Sequence, residues 1–162
     1  SFDVVTSLFG AMFAPDPARV ANELVRVCRP GGTIAMGNWT RDGFIGSMFK
    51  TIAAFIAPPG MPSPLLWGDE GAVADRFGGR VSSLRLTRVT YRFDYPFGPG
   101  EVVDLFRDNY GPTTRAFKTL GDVEGRALRD ALVSLWASNN QATGQNRTIV
   151  DAEYLAVAAT RG

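Results

Sequence analysis

Three groups of residues have side chains or backbones of a type that could do chemistry. Asp69-Glu70 pairs two carboxylates, as general acid–base work requires; Cys28 is the single thiol; Gly31-Gly32 could cradle a phosphate. Position argues against each. Asp69 stands where it would cap a short helix running through Phe77, with Glu70 favourable in the first turn. Cys28 falls on an apolar helical stripe, the place of a buried structural cysteine rather than a nucleophile. Phosphate-binding glycines follow a strand and open a helix, whereas Gly31-Gly32 closes a helix and opens a strand. It is read as a turn.

The 162 residues contain no histidine. Ser-His-Asp and Cys-His catalysis and histidine-ligated metal sites are thereby excluded within this chain, and no metal dependence is expected. With a formal net charge of +1 and no basic run interleaved with aromatics, no nucleic-acid partner is expected either. One cysteine cannot make an internal disulfide framework, which leads to the expectation of a reducing, cytoplasmic location. Asn38-Trp39-Thr40 and Asn146-Arg147-Thr148 match the glycosylation tripeptide and are read as chance matches. A composition of 45% hydrophobic and 20% charged residues is ordinary globular usage, and the length suffices for one domain with a core.

The elements that would position such residues begin with a strand at Phe2, Val4 and Val5, an apolar run typical of burial on both faces. Ser7–Phe13 leaves it as a loop at the C-terminal end, where open parallel sheets bind ligands. Asp16-Pro17 starts a helix to about Cys28, with Val20, Leu24, Val27 and Cys28 on its inner stripe. Arg29-Pro30-Gly31-Gly32 ends it, and Thr33–Trp39 is the next strand. Phe44 to about Ala57 reads as an apolar helix, far short of the roughly 20 residues that span a bilayer, and it serves either as core or as the wall of an apolar pocket.

Pro58–Leu66 is a proline-rich linker or semi-rigid flap. Val81–Phe97 is strand-like, with a change of phase near Thr87-Arg88 that a bulge or a break would explain. Helices follow from Gly98-Pro99 to about Tyr110, over Thr113–Leu120 and from Asp122 to about Asn139. Asn139–Asn146 is a polar turn, and Ile149–Thr160 is the closing strand.

Phe2-Asp3-Val4-Val5, the apolar Phe9–Phe13 loop, the run Glu23-Leu24-Val25-Arg26-Val27-Cys28-Arg29-Pro30-Gly31-Gly32 and Trp39 resemble the middle of a class I S-adenosylmethionine-dependent methyltransferase. The chain is most similar to the broad small-molecule group called type 11 methyltransferases. The resemblance implies an α/β fold with a doubly wound sheet of order 3-2-1-4-5-7-6. This chain would supply a partial Rossmann-like sheet, the strands equivalent to 4-5-7-6, with the last strand antiparallel and inserted between its neighbours, and a helical cover. Residues 1–162 would be one α/β domain, the C-terminal half of a methyltransferase domain, with 99–139 a helical insertion over the ligand end. The glycine-rich cofactor turn would precede Ser1, so the chain alone is expected to bind S-adenosylmethionine weakly or not at all.

By the same resemblance Ser7, Leu8 and Phe9 border the cofactor, with Phe13 close by. Trp39, Thr40, Phe44 and Met48 face the acceptor, and Tyr110 reaches it from the helical cover. For each of these, ordinary packing or a turn contact is the other reading, and none is given a catalytic role. The implied activity is methyl transfer from S-adenosylmethionine to a small, apolar or aromatic acceptor. The alternative, from a different class, is a catalytically silent binding or dimerisation module. Without the family's first strand beside it, Phe2–Val5 would present a bare apolar sheet edge, a template for pairing, and a homodimer through that edge is expected.

Overall fold

A computed structural model describes residues 1–57, 60–144 and 146–162. Its ten main elements are β1 (Phe2–Leu8), α1 (Pro17–Val27), β2 (Cys28–Trp39), α2 (Phe44–Ala53), α3 (Glu70–Phe77), β3 (Val81–Tyr95), α4 (Pro99–Asn109), α5 (Gly111–Thr119), α6 (Asp122–Ser138) and β4 (Thr148–Arg161). The strands form one sheet in the order β1-β2-β4-β3, with β1 parallel and β4 antiparallel to β2. This is the order and direction the sequence leads one to expect. Pro58 and Pro59 of the proline-rich linker and Gln145 of the polar turn lie outside the described residues.

The chain divides into two compact units, Ser1–Gly46 with Gly60–Thr90 and Glu153–Gly162, and Ser47–Pro59 with Tyr91–Ala152. In the first unit, α1 starts as its sequence dictates. The Asp16 carboxylate accepts from the Arg19 N–H at 2.9 Å and Pro17 occupies the first turn. Asp69 caps α3 in the same way, accepting from the Ala72 N–H at 2.8 Å, so the adjacent carboxylates are helix-terminal groups. Ile34 and Met36 of β2 and Leu155, Val157 and Ala159 of β4 are buried in the sheet, and Ala21, Val73 and Phe77 of the helices are buried as well. Cys28 is buried and reduced.

Several boundaries differ from the sequence reading. β1 is not buried on both faces: Phe2, Val4 and Leu8 are exposed, because β1 is the end strand of the sheet and only Val5 and Ser7 are half-buried. β2 begins at Cys28 rather than Thr33. Phe2 pairs with Cys28 and Val4 with Thr33, so five steps on β2 oppose two on β1 and Arg29–Gly32 bulges out of the ladder. Gly31 has φ +71° there, and a Cβ on Gly32 would lie 2.7 Å from Cys28 Sγ and 2.9 Å from the Asp3 carbonyl oxygen. Arg29 ties the bulge to β1 through Asp3 at 2.6 Å, which holds the Asp3 carboxyl below its usual range. Helix α2 stops at Ala53, short of Ala57, and β1 extends to Leu8 before a 3-10 turn at Ala11–Phe13.

β3 runs unbroken to Tyr95, two residues short of Phe97, and its half-buried positions change from Leu84 and Leu86 to Val89, Phe93 and Tyr95. The phase change is real, and it needs no break.

The second unit is built on aromatic packing. Trp136 of α6 meets Phe106 of α4 at 5.1 Å and Phe93 of β3 at 5.8 Å, all edge to face. Arg129 of α6 forms a two-point bond to Asp104 of α4 at 2.8 and 2.9 Å, the guanidinium holding that carboxyl low. On β3, Arg92 pairs with Asp151 of β4 at 2.8 Å, and Arg92 with the Gln141 amide holds the Asp151 carboxyl at about 2.

Back in the first unit, a 3-10 turn at Pro64–Gly68 packs on the end of β2. Gly68 touches the strand backbone: a Cβ there would stand 2.1 Å from the Trp39 carbonyl oxygen and 2.8 Å from Thr40 Cα. Gly68→Ala must therefore push the turn off the strand. It should cost about 3 kcal/mol, read as a fall in Tm of roughly 6–12 °C by thermal denaturation. Gly79→Ala, whose Cβ would meet nothing within 4 Å, should stay within about 0.5 kcal/mol. Equal effects for the two variants would show that the Gly68 contact is not tight.

Candidate functional site

The C-terminal ends of β1 and β2 lie side by side because the two strands are parallel and in register from Val4–Thr33 to Leu8–Gly37. Just beyond β1 the chain turns sharply. Phe9 has φ +57°, the left-handed region that a bulky residue enters only against a steric cost. Two hydrogen bonds hold it. The Phe9 N–H donates to the Gly37 carbonyl at 2.8 Å, and Ser7 Oγ accepts from the Ala11 N–H at 2.9 Å, which fixes the start of the 3-10 turn.

This turn throws the Phe9 ring flat onto Trp39, the last residue of β2, with centroids 4.2 Å apart and planes inclined by 15°. Tyr154 of β4 completes the group, edge-on to Phe9 at 5.7 Å and to Trp39 at 6.2 Å. It gets there by register, since β4 pairs Tyr154 directly with Trp39. Trp39 is 6% exposed, while Phe9 and Tyr154 are half-buried. The result is an apolar aromatic patch at the end of the sheet where parallel strands point their C-termini.

Thr40 closes the β2–β4 ladder: its N–H and its hydroxyl both donate to the Glu153 carbonyl at 3.2 Å. The Glu153 carboxylate is occupied by Arg88 at 3.0 Å, and Arg88 also holds Glu70 at 3.0 Å. These charges are spent on one another, which leaves both carboxylates ion-paired. Phe44 is buried at the head of α2, next to Gly43, whose Cβ would come within 2.8 Å of Thr40 Oγ1. Leu8 is exposed and Phe13, ending the 3-10 turn, is at the border of exposure.

Of the residues named from sequence, Ser7, Leu8, Phe9, Phe13, Trp39, Thr40 and Phe44 belong to the first unit. Phe9 meets Trp39 there. Met48 is buried in the second unit, where Tyr110 packs its ring on Phe106 at 5.4 Å and has its hydroxyl pushed well above the ordinary range by burial. Sequence reasoning does not single out Tyr154. Its role depends on strand register, and only the pairing of Trp39 with the closing strand could reveal it. Glu153 escapes for the same reason.

The patch offers flat apolar surface and the hydroxyls of Ser7 and Tyr154. Such a set fits the aromatic part of a nucleoside cofactor, but not its charged or polyhydroxylated parts. The sequence has no G-x-G-x-x-G run to supply backbone donors for those. Among the described residues no group of three or more Cys, Asp or Glu side chains could hold a metal ion, and no helix is long and apolar enough to cross a membrane.

Residues 1–36 match the family described as a methyltransferase domain. Over 126 residues, 75% of this chain and 45% of the relative, the sequence is 44% identical to an uncharacterized protein of Mycobacterium tuberculosis. A phosphatidylethanolamine N-methyltransferase of Cereibacter sphaeroides is 39% identical over 57 residues, 34% of this chain and 28% of that protein. The chain thus spans less than half the length of the curated relatives it matches. Among solved structures, one described as a methyltransferase from Bacillus halodurans aligns over 98% of this chain and 64% of its own, at 13% identity and a TM-score of 0.50, which is a likeness of fold.

The stack generates a prediction. Trp39→Ala empties a buried site and should cost about 3–5 kcal/mol, whereas Phe9→Ala removes a half-buried ring and relieves an unfavourable φ only partly, costing about 1–2 kcal/mol. Chemical denaturation of both variants measures this. A Phe9→Ala cost as large as that of Trp39→Ala would contradict the stacking geometry.

Proposed function

We propose, from the premise that this chain carries part of a class I methyltransferase domain, that the protein transfers a methyl group from S-adenosylmethionine to a small, apolar or aromatic acceptor. The observation that carries this reading is the strand–helix–strand segment matching a methyltransferase domain, which ends three residues before Trp39 of the Phe9–Trp39–Tyr154 patch. S-adenosylmethionine would supply an electrophilic methyl on a sulfonium, whose transfer to an acceptor lone pair needs no further reactant. The chain's own residues need only position and exclude water.

Ser7, Leu8, Phe9 and Phe13 would border the cofactor's apolar side. Trp39, Thr40 and Phe44 would face the acceptor. The half-buried rings of Phe9 and Tyr154, backed by the buried Trp39, would give this end of the sheet its apolar surface. No group here has to act as a base: an acceptor that is already a lone-pair nucleophile gives up its proton to solvent after transfer.

A second reading, that the chain acts as a silent binding or dimerisation module, is favoured by one observation. Phe2, Val4 and Leu8 of the end strand β1 are 62%, 57% and 72% exposed. An end strand with such side chains is a template for pairing with a second copy. Light scattering over a concentration series should then show a monomer–dimer equilibrium that Val4→Lys shifts to monomer. A monomer at every concentration rejects the pairing.

Titration calorimetry with S-adenosylmethionine tests the first reading. The full-length Mycobacterium tuberculosis relative should bind in the micromolar range, about 8 kcal/mol, and this 162-residue chain only near millimolar, about 4 kcal/mol. No heat with the full-length relative rejects methyl transfer. Micromolar binding by this chain would move the cofactor contacts to residues other than Ser7–Phe13.

A further inference from the structure

Asn38 is the last residue but one of β2 and is wholly buried, yet neither Oδ1 nor Nδ2 of its carboxamide has a hydrogen-bond partner. A carboxamide carries two donor hydrogens and an acceptor oxygen, and buried polar atoms in folded proteins are nearly always answered. Strand alternation puts Asn38 on the side of Ile34 and Met36, and the register sets it opposite Leu155; all three are buried and none can answer an amide. The same burial removes Asn38 as a glycan acceptor.

A second orphan belongs to the Pro64–Gly68 turn, which packs on the end of β2. Trp67 Nε1 is buried and unpartnered. Because Gly68 abuts the Trp39 carbonyl, Asn38 and Trp67 are the residues immediately before the two that touch. The indole is fixed in place: Arg76 lies 4.5 Å over its ring and donates to the Leu66 carbonyl at 3.0 Å.

We propose that Asn38 and Trp67 form a binding point for one neutral hydroxyl oxygen at the end of β2. Such an oxygen accepts from Asn38 Nδ2 and Trp67 Nε1 and donates its own hydrogen to Asn38 Oδ1. A carboxylate has no hydrogen for Oδ1, and an ammonium has no lone pair for the two N–H groups. The oxygen comes from an ordered water or from the hydroxyl of an otherwise apolar ligand. The second source rests on the methyl-transfer reading, since it would be the acceptor at this end of the sheet; the first does not. A site built to hydrogen-bond a hydroxyl rejects the analogue that lacks it by orders of magnitude.

The test is amide-resolved NMR on the 15N-labelled chain, following the Asn38 side-chain NH2 and the Trp67 indole N–H, with phenol and toluene as probes. Water as the source gives cross-relaxation between a long-lived water and both groups, with no response to phenol. A ligand hydroxyl as the source gives saturable shifts of both signals with phenol, at least tenfold tighter than with toluene, and loss of the water contact. Asn38→Leu, and Trp67→Phe should the first variant fail to fold, should each lower Tm by roughly 3 °C or more, because the oxygen loses a partner. If neither water nor phenol touches these groups, or toluene acts as phenol does, or Asn38→Leu raises Tm, the proposal is overturned. Calorimetry on the full-length relative is read separately: no S-adenosylmethionine binding there removes the acceptor as a source and leaves the water contact to be judged alone.

Discussion

β2 is the strand on which the first unit depends. It is paired on both sides, parallel to β1 and antiparallel to β4, so its backbone groups along Thr33–Gly37 are shared between two partners of opposite direction. A strand so committed cannot slip by one residue without exchanging Ile34 and Met36 for Thr33 and Ala35 in the core. The bulge at Arg29–Gly32 absorbs the mismatch between the end of α1 and this register. Gly31 and Gly32 are there because the backbone turns left-handed and then passes within contact of Asp3. The glycine pair that could be mistaken for a phosphate loop thus serves the register of the sheet.

The aromatic patch follows from that register rather than from any local motif. Trp39 meets Tyr154 because β4 is antiparallel and paired residue for residue, and Phe9 reaches Trp39 because its N–H extends the β1–β2 ladder to Gly37. The strained φ of Phe9 is carried by this extra bond and by the stacking of its ring, two contributions each comparable to the cost. An apolar surface assembled from three strands is rigid in a way that a loop is not. Under the methyl-transfer reading proposed above, in which a nucleophile must be aligned with a methyl group, that rigidity would matter more than an ionisable side chain.

What is legible in the sequence is local. Asp16-Pro17 and Asp69 announce their helices because a cap acts over three residues, and α4, α5 and α6 begin and end close to their Gly and Pro signals. The phase change in β3 can be counted from Leu86 and Val89 alone. Burial of β1 is misjudged because an apolar run looks the same in a central and in an end strand; only neighbours decide it, and they are distant in sequence. The site is half legible for the same reason. Phe9 and Trp39 sit beside strand ends that periodicity reveals, whereas Tyr154 and Glu153 owe their places to a partner strand more than a hundred residues away.

Asn38 departs from this consistency. Every other inward position of β2 from Ile34 onward is apolar or, like Thr40 just beyond it, bonded to the neighbouring strand, so the core side of the strand agrees with its pattern up to one residue. A valine or leucine there would continue the pattern and cost nothing in desolvation. Local rules and global fold agree along most natural chains, and departures gather where a fold does something besides hold together. Asn38 lies one residue before Trp39 of the aromatic patch, whose carbonyl Gly68 abuts. The end of β2 thus sets side by side a buried indole within an aromatic cluster and a buried carboxamide without a partner, both placed by the same register.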